Sequence, residues 1–208
     1  MLRIDHVVLG SADLEATVVR MWRDHGLASV VGGRHAAWGT GNFIVPLGDQ
    51  YLEVFGVLDP EQAARTGFGR FMREVTEGGD RWYTVAVRDD DLDGTAARLG
   101  LELEPGEREL PDGRVVRWRR GLLENPSVDP WLPFFIEWDV PDDLFPGRMP
   151  AHHRVPVTGI ARVELGGDME RLRAALADPR LPIRLVGGEP GVRSVALSLA
   201  DGGELPLR

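Results

Sequence analysis

At 208 residues the chain is long for one minimal domain and short for two large ones, so a single unit assembled from repeats is the expected organisation. Hydrophobic residues at 43% and charged residues at 27% match soluble globular proteins, and no apolar run approaches the ~20 residues of a membrane span. A net charge of −9 without basic runs argues against a nucleic-acid partner, the absence of cysteine excludes disulfides, thiolate metal sites and cysteine nucleophiles, and the absence of lysine excludes Schiff-base chemistry.

In chain order, Met1 to His6 enters a strand pattern at once and lacks the charged and then apolar regions of a secretory signal, which points to a cytoplasmic location. Ile4 to Leu9 reads as a strand, and Asp13 caps a helix whose Leu14, Val18, Met21 and Trp22 share one face. Short strands follow at Ala28 to Val31, Phe43 to Leu47 and, past a Gly48-Asp49 turn, Tyr51 to Val57. Pro60 to Glu77 reads as an inserted helix, with proline in its first turn and Gly78-Gly79 at its end. The strand Trp82 to Val87 and the cap Asp91 restart the pattern. A helix on Leu92, Ala96 and Leu99 follows, then strands at Leu101 to Glu104, Val115 to Arg119 and Phe134 to Asp139. Pro141 to Pro156, with four prolines, reads as a linker. Ile160 to Leu165, the cap Asp168, a helix on Met169, Leu172 and Leu176, and strands at Ile183 to Val186, Val192 to Leu199 and Glu204 to Leu207 restart it again.

The three opening strands begin at 4, 82 and 160, a spacing of 78 each time, and each unit reads βαβββ. The expected class is α+β. Units 1–58 and 80–140, with the inserted helix 60–77 between them, form one domain, and 157–208 a third, partial unit after the linker 141–156.

Three residues stand out chemically. His6 lies in an apolar strand, where a lone histidine is ordinarily a core residue bonded to a backbone carbonyl. Glu53 in Tyr51-Leu52-Glu53-Val54-Phe55 and Glu137 in Phe134-Phe135-Ile136-Glu137-Trp138 are carboxylates amid aromatic and β-branched neighbours. A buried carboxylate needs a cation or strong donors. Each glutamate either meets such a group, faces solvent, or pairs with an arginine.

With these residues the chain resembles the vicinal-oxygen-chelate superfamily, which includes glyoxalase I, extradiol dioxygenases and bleomycin-resistance proteins, and within it the glyoxalase-like-domain group. The resemblance spans nearly the whole chain. The stretches Arg34-His35-Ala36-Ala37-Trp38-Gly39-Thr40-Gly41-Asn42 and Pro133-Phe134-Phe135-Ile136-Glu137-Trp138 look like that group's own signatures. The resemblance implies paired βαβββ units in a cupped mixed sheet with helices outside, and ligands for a divalent metal on the first and last strands of each unit. By that pattern His6, Glu53 and Glu137 are the ligands, with Glu53 and Glu137 also the catalytic carboxylates, and Mn, Fe, Zn, Mg or Ni the candidate ions. The fourth position, usually histidine, falls on Thr84, while the third unit carries Arg162 and Pro206 at the two ligand positions and is expected to be structural.

A second polar group, Arg34, His35, Trp38, Thr40 and Asn42 with Arg117 and Arg119, is a candidate substrate surface, because arginine forks suit carboxylate or phosphate and a tryptophan offers a flat wall. The competing reading of Arg114 to Arg120 is a solvated strand face. His25, His152 and His153 lack spaced partners and read as incidental. No P-loop, G-x-S-x-G, strand-linked G-x-G-x-x-G or H-E-x-x-H occurs, so no nucleotide cofactor is expected. Two functions remain open: a metal-dependent lyase, isomerase or dioxygenase acting on a small, oxygen-rich or anionic molecule, and a metal-free protein that binds or sequesters one, as bleomycin-resistance proteins do. Pairing of units within the chain or across a homodimer is open as well.

Overall fold

A computed structural model describes residues 1–110, 112–124, 129 and 131–207. Strand β1 (Arg3–Ser11) is buried on both faces after its first residue, as a strand with a sheet neighbour on each side and layers above and below must be. Asp13 stops it and caps α1 (Leu14–His25), accepting the Ala16 N–H at 3.0 Å, and Gly26 closes the helix at φ 69°, a left-handed conformation that suits glycine. Strands β2 (Val30–His35), β3 (Thr40–Pro46) and β4 (Tyr51–Val57) follow, and β4 returns to lie parallel beside β1.

The inserted segment forms two helices, α2 (Pro60–Ala64) and α3 (Gly67–Thr76), where the sequence pattern suggests one. Thr66 makes the break: its hydroxyl accepts the Gly69 N–H at 3.0 Å and restarts the helix. Gly69 then packs so tightly on α2 that a Cβ there would stand 2.5 Å from the Ala63 carbonyl oxygen.

The second unit comprises β5 (Arg81–Arg88), α4 (Leu92–Leu99), β6 (Leu103–Glu109), β7 (Val115–Leu122) and β8 (Phe134–Asp139). Antiparallel pairing of β1 with β5 joins the two units on one side. A bridge between Arg34 and Glu109 joins β2 to β6 on the other, closing a barrel in the order β1-β4-β3-β2-β6-β7-β8-β5. The third unit, β9 (Val157–Gly166), α5 (Met169–Ala175), β10 (Ile183–Val186), β11 (Gly191–Leu199) and β12 (Glu204–Leu207), repeats the element order in shorter form. Its strand order differs, β10-β9-β11-β12, so the strand after the helix lies parallel beside the first strand rather than at the far edge. Arg208, at the end of the expected third unit, lies outside the described residues.

Segment 141–156 is fastened to the barrel rather than free. The Gly48 N–H donates to the Gly147 carbonyl at 2.8 Å and the Arg154 N–H to that of Gly26 at 2.7 Å. His153 accepts the Ala28 N–H at Nδ1 (3.0 Å) and donates from Nε2 to the Pro46 carbonyl (2.7 Å), so a residue that reads as incidental in the sequence pins the approach to β2 and the end of β3. The main apolar core lies outside the barrel wall, where Val7, Leu52, Val54, Val85 and Phe135 meet the helices and the third unit. Side chains alternate across each strand, so the opposite residues of the same strands face the barrel interior. None of the described helices is long and apolar enough to cross a membrane.

Candidate functional site

The barrel encloses a cavity of about 90 Å³. His6 and Val8 of β1 face it, as do Tyr51, Glu53 and Phe55 of β4. Ile4 does not share their face as simple alternation predicts, because the β1–β5 pairing shifts register between Ile4 and His6, and Ile4 joins the outer core instead. Phe68 of α3 lines the cavity too, so the insertion contributes to its wall.

A chain of buried polar groups runs through this interior. Arg108 donates from Nη1 to the Asn42 side-chain oxygen at 3.3 Å, and the Asn42 amide donates to Glu53 Oε1. The other Glu53 oxygen stands 3.5 Å from His6 Nε2. His6 Nδ1 lies 2.6 Å from Asp5 Oδ1, and since a carboxylate only accepts, this nitrogen carries the proton and Nε2 is turned to the cavity. Asp5 is fully buried, takes a further hydrogen bond from Trp138 Nε1 at 3.1 Å and has Arg88 Nε at 3.6 Å. Tyr51 stacks on the His6 ring at 4.4 Å between centroids. Burial raises the Tyr51 and Tyr83 hydroxyls above their ordinary range, so both enter the site as neutral phenols.

His35 and Trp38 also line the cavity, and Thr40 is buried behind them, its hydroxyl 3.4 Å from His35 Nδ1. Burial pushes the His35 ring down to about 4, and its stacking on Phe55 suits a neutral ring. Thus His6, Glu53, His35, Trp38 and Asn42 line one cavity.

Glu137, Arg117, Arg119 and Arg34 do not. On β8 the inward residues are Phe134, Ile136 and Trp138, and on β7 they are Trp118, Arg120 and Leu122. Strand alternation therefore turns Glu137, Arg117 and Arg119 to the outer face. There Glu137 is bound by Arg119 (Nε to Oε2, 2.9 Å), which also forks onto Asp93 at 3.0 Å, while Arg117 pairs with Glu107 at 3.3 Å. Arg34 is exposed on β2 beside His35 and lines an outer groove. The expected cavity cations are thus replaced by Arg108 and Arg120.

Strand register explains the displacement of Glu137. Val8 is paired with Glu53, and its equivalent 78 positions on, Ala86, is paired with Phe134. The counterpart of Glu53 is therefore Phe134, three residues before Glu137. The counterpart of His6 is Thr84, whose hydroxyl donates to the Leu132 carbonyl at 2.7 Å. At the four positions that the resemblance marks, a metal would find one imidazole and one carboxylate from the first unit, and from the second a hydroxyl already engaged and a phenyl ring. Among the described residues no group of three or more His, Asp or Glu side chains is arranged to hold an ion. Catalytic metal sites commonly use three protein ligands. These residues do not fit a resident divalent ion, and the three-ligand set His6, Glu53 and Glu137 is corrected to a two-residue pair.

Sequence reasoning missed Asp5, Arg108, Tyr51 and Tyr83. Asp5 adjoins His6, and simple alternation assigns it to the opposite face. Arg108 lies in Glu104-Pro105-Gly106-Glu107-Arg108-Glu109, which looks like solvated surface. Its signal is the period of two: Gly106 leaves room for the Trp118 ring, which a Cβ would approach to 2.3 Å, and Arg108 follows on the same face.

The third unit contributes no described residue to the cavity lining, and Arg162 there is paired with Glu204 at 3.1 Å.

A family model described as "Glyoxalase-like domain" matches residues 4–179. No curated protein matches the chain. Among solved structures, a hypothetical protein from Staphylococcus aureus is similar over 100% of this chain and 99% of its own, at a TM-score of 0.73 and 15% identity. Methylmalonyl-CoA epimerase from Mycobacterium tuberculosis is similar over 64% of this chain and 85% of its own (TM-score 0.45, 19% identity). A Streptomyces coelicolor methylmalonyl-CoA epimerase is similar over 64% and 92% (TM-score 0.46, 20% identity).

Proposed function

Because the chain belongs to the glyoxalase-like domain family, with the vicinal-oxygen-chelate fold, we propose that its barrel cavity binds a small, oxygen-rich molecule and moves a proton at a carbon beside a carbonyl, as an isomerase- or lyase-type enzyme. The observation that carries this reading is the Asp5–His6–Glu53 line, with both reactive atoms of the His6–Glu53 pair in the cavity and 3.5 Å apart. Glu53 takes the proton from the substrate carbon, and the electron pair of that C–H bond moves to the carbonyl oxygen. His6 Nε2 can then accept the proton from Glu53, its charge offset by Asp5, and return it by the same route to the face of the enolate that Glu53 adjoins. Asn42 holds the first Glu53 oxygen so that the second stays turned to His6. Apolar walls limit water around the pair and strengthen its electrostatics.

The experiment is hydrogen exchange at a carbon acid. Pyruvate incubated in D₂O with the protein should exchange its methyl protons, read by NMR, and Glu53→Gln should lose at least ~100-fold of that rate. Binding of pyruvate with no exchange above background would overturn the proton-transfer reading. It would favour a second one, metal-free sequestration of a small molecule, for which Thr84 and Phe134 at the second unit's ligand positions speak directly.

A further inference from the structure

Arg108 is 4% exposed and lines the cavity, yet it has no carboxylate within 4.0 Å among the described residues. One hydrogen bond, to Asn42, occupies Nη1, and the buried Nη2 has no partner among the described residues. Proteins rarely leave a buried guanidinium so poorly satisfied, since desolvating a cation is costly unless an anion or several acceptors meet it. Burial lowers its affinity for the proton, and the nearby Tyr51 and Glu53 act in the opposite direction.

We propose that Arg108 is the anchor for a substrate carboxylate, so that the ligand of this cavity is a short-chain 2-oxo acid or a close relative. This rests on the proton-transfer reading above and deepens it by naming the substrate class. Three features set the class. The unfilled Nη2 and the geometry of a guanidinium suit the paired oxygens of a carboxylate. Asn42 joins Arg108 to Glu53, so a carboxylate held at Arg108 presents its neighbouring carbons toward the base. At ~10–15 Å³ of such space per water, the cavity's 90 Å³ holds on the order of six to nine waters, room for a small organic acid. Val8, Phe55, Phe134 and Ile136 give the rest of the ligand an apolar wall, and Arg120, the other cation lining the cavity, is already paired with Glu104 at 2.9 Å.

Trp38, Trp118 and Trp138 line the cavity, so binding is readable by tryptophan fluorescence. The probes are pyruvate and its neutral amide, pyruvamide, titrated against wild type and Arg108→Met. Wild type should bind pyruvate at least ten-fold more tightly than pyruvamide, and Arg108→Met should bind both equally and weakly. Arg108→Met should also melt at or above the wild-type temperature, because it replaces an uncompensated charge by a side chain of similar length. Equal affinity of wild type for the two probes would overturn the carboxylate anchor and leave the cavity reading standing. Failure of both probes to bind would overturn the two together. If Arg108→Met unfolds, Arg108→Lys keeps the charge but loses the fork, and unchanged pyruvate preference in that variant would likewise overturn a fork-specific anchor.

Discussion

Glu53 and Glu137, alike in their strand contexts, stand on opposite faces of the barrel wall. Glu53 is inside with Asn42 and His6, and Glu137 is outside, gripped by Arg119. Glu137→Gln should accordingly leave exchange activity within about two-fold of wild type and cost under ~1 kcal/mol, the range of an exposed ion pair. Thermal melts and the exchange assay on both glutamine variants check this, and a Glu137→Gln variant as impaired as Glu53→Gln would contradict the assignment of faces.

Asp5 acts through His6. In Asp5→Asn the amide can present N–H to His6 Nδ1 and drive the ring proton to Nε2, which removes the acceptor facing Glu53. Exchange should fall by roughly 10²- to 10⁴-fold while the affinity for pyruvate stays within a few-fold of wild type. Loss of stability with an unchanged exchange rate per folded molecule would reduce Asp5 to a structural role.

His35 should make stability pH-dependent. Burial lowers it to about 4 from an ordinary 6.5, so between those values the unfolded chain binds a proton that the folded chain does not. The contribution of the neutral ring is complete above pH 6.5 and declines as the pH falls toward 4. Across that window the loss is about 3 kcal/mol at ~1.4 kcal/mol per pH unit. Denaturant melts of wild type and His35→Phe should converge as pH is lowered if the wild type starts more stable, or diverge further if it starts less stable. A difference constant from pH 7 to pH 4 would contradict a neutral His35.

Much of this was legible in the sequence, and the misses have one cause. Asp13, Asp91 and Asp168 cap their helices because capping is local chemistry, and the bounds of β4, β8, β10 and β12 follow from runs whose apolar pattern decides them. His6 and Glu53 come out together because the resemblance marks the first and last strands of the first unit, and β1 and β4 lie side by side there. Glu137 failed because register, which pairs Ala86 with Phe134, decides which residue stands at the ligand position, and an offset of three, like any odd offset, puts the side chain on the other face. The same inversion turned Arg117 and Arg119 outward. Arg108 escaped notice because its burial is created by the seam between β2 and β6, a contact between residues distant in the chain.

His153 ties the 141–156 segment to the barrel through two backbone groups, with Nδ1 as acceptor and Nε2 as donor. His153→Ala leaves both without partners and should cost about 2 kcal/mol, at ~1 kcal/mol per partly buried hydrogen bond. His153→Gln, which offers an acceptor and a donor of its own, should recover part of this in a thermal melt. A melt unchanged in His153→Ala would mean that the segment does not brace the fold.

The central claim is that His6 and Glu53 move a proton on their own, since the second unit supplies Thr84 and Phe134 where further ligands would stand. Pyruvate exchange in D₂O should be measured on protein stripped with chelator and assayed for residual metal. The stripped protein should retain its full rate, and Glu53→Gln should abolish it. A rate that vanishes on stripping and returns with a stoichiometric divalent ion would contradict that claim.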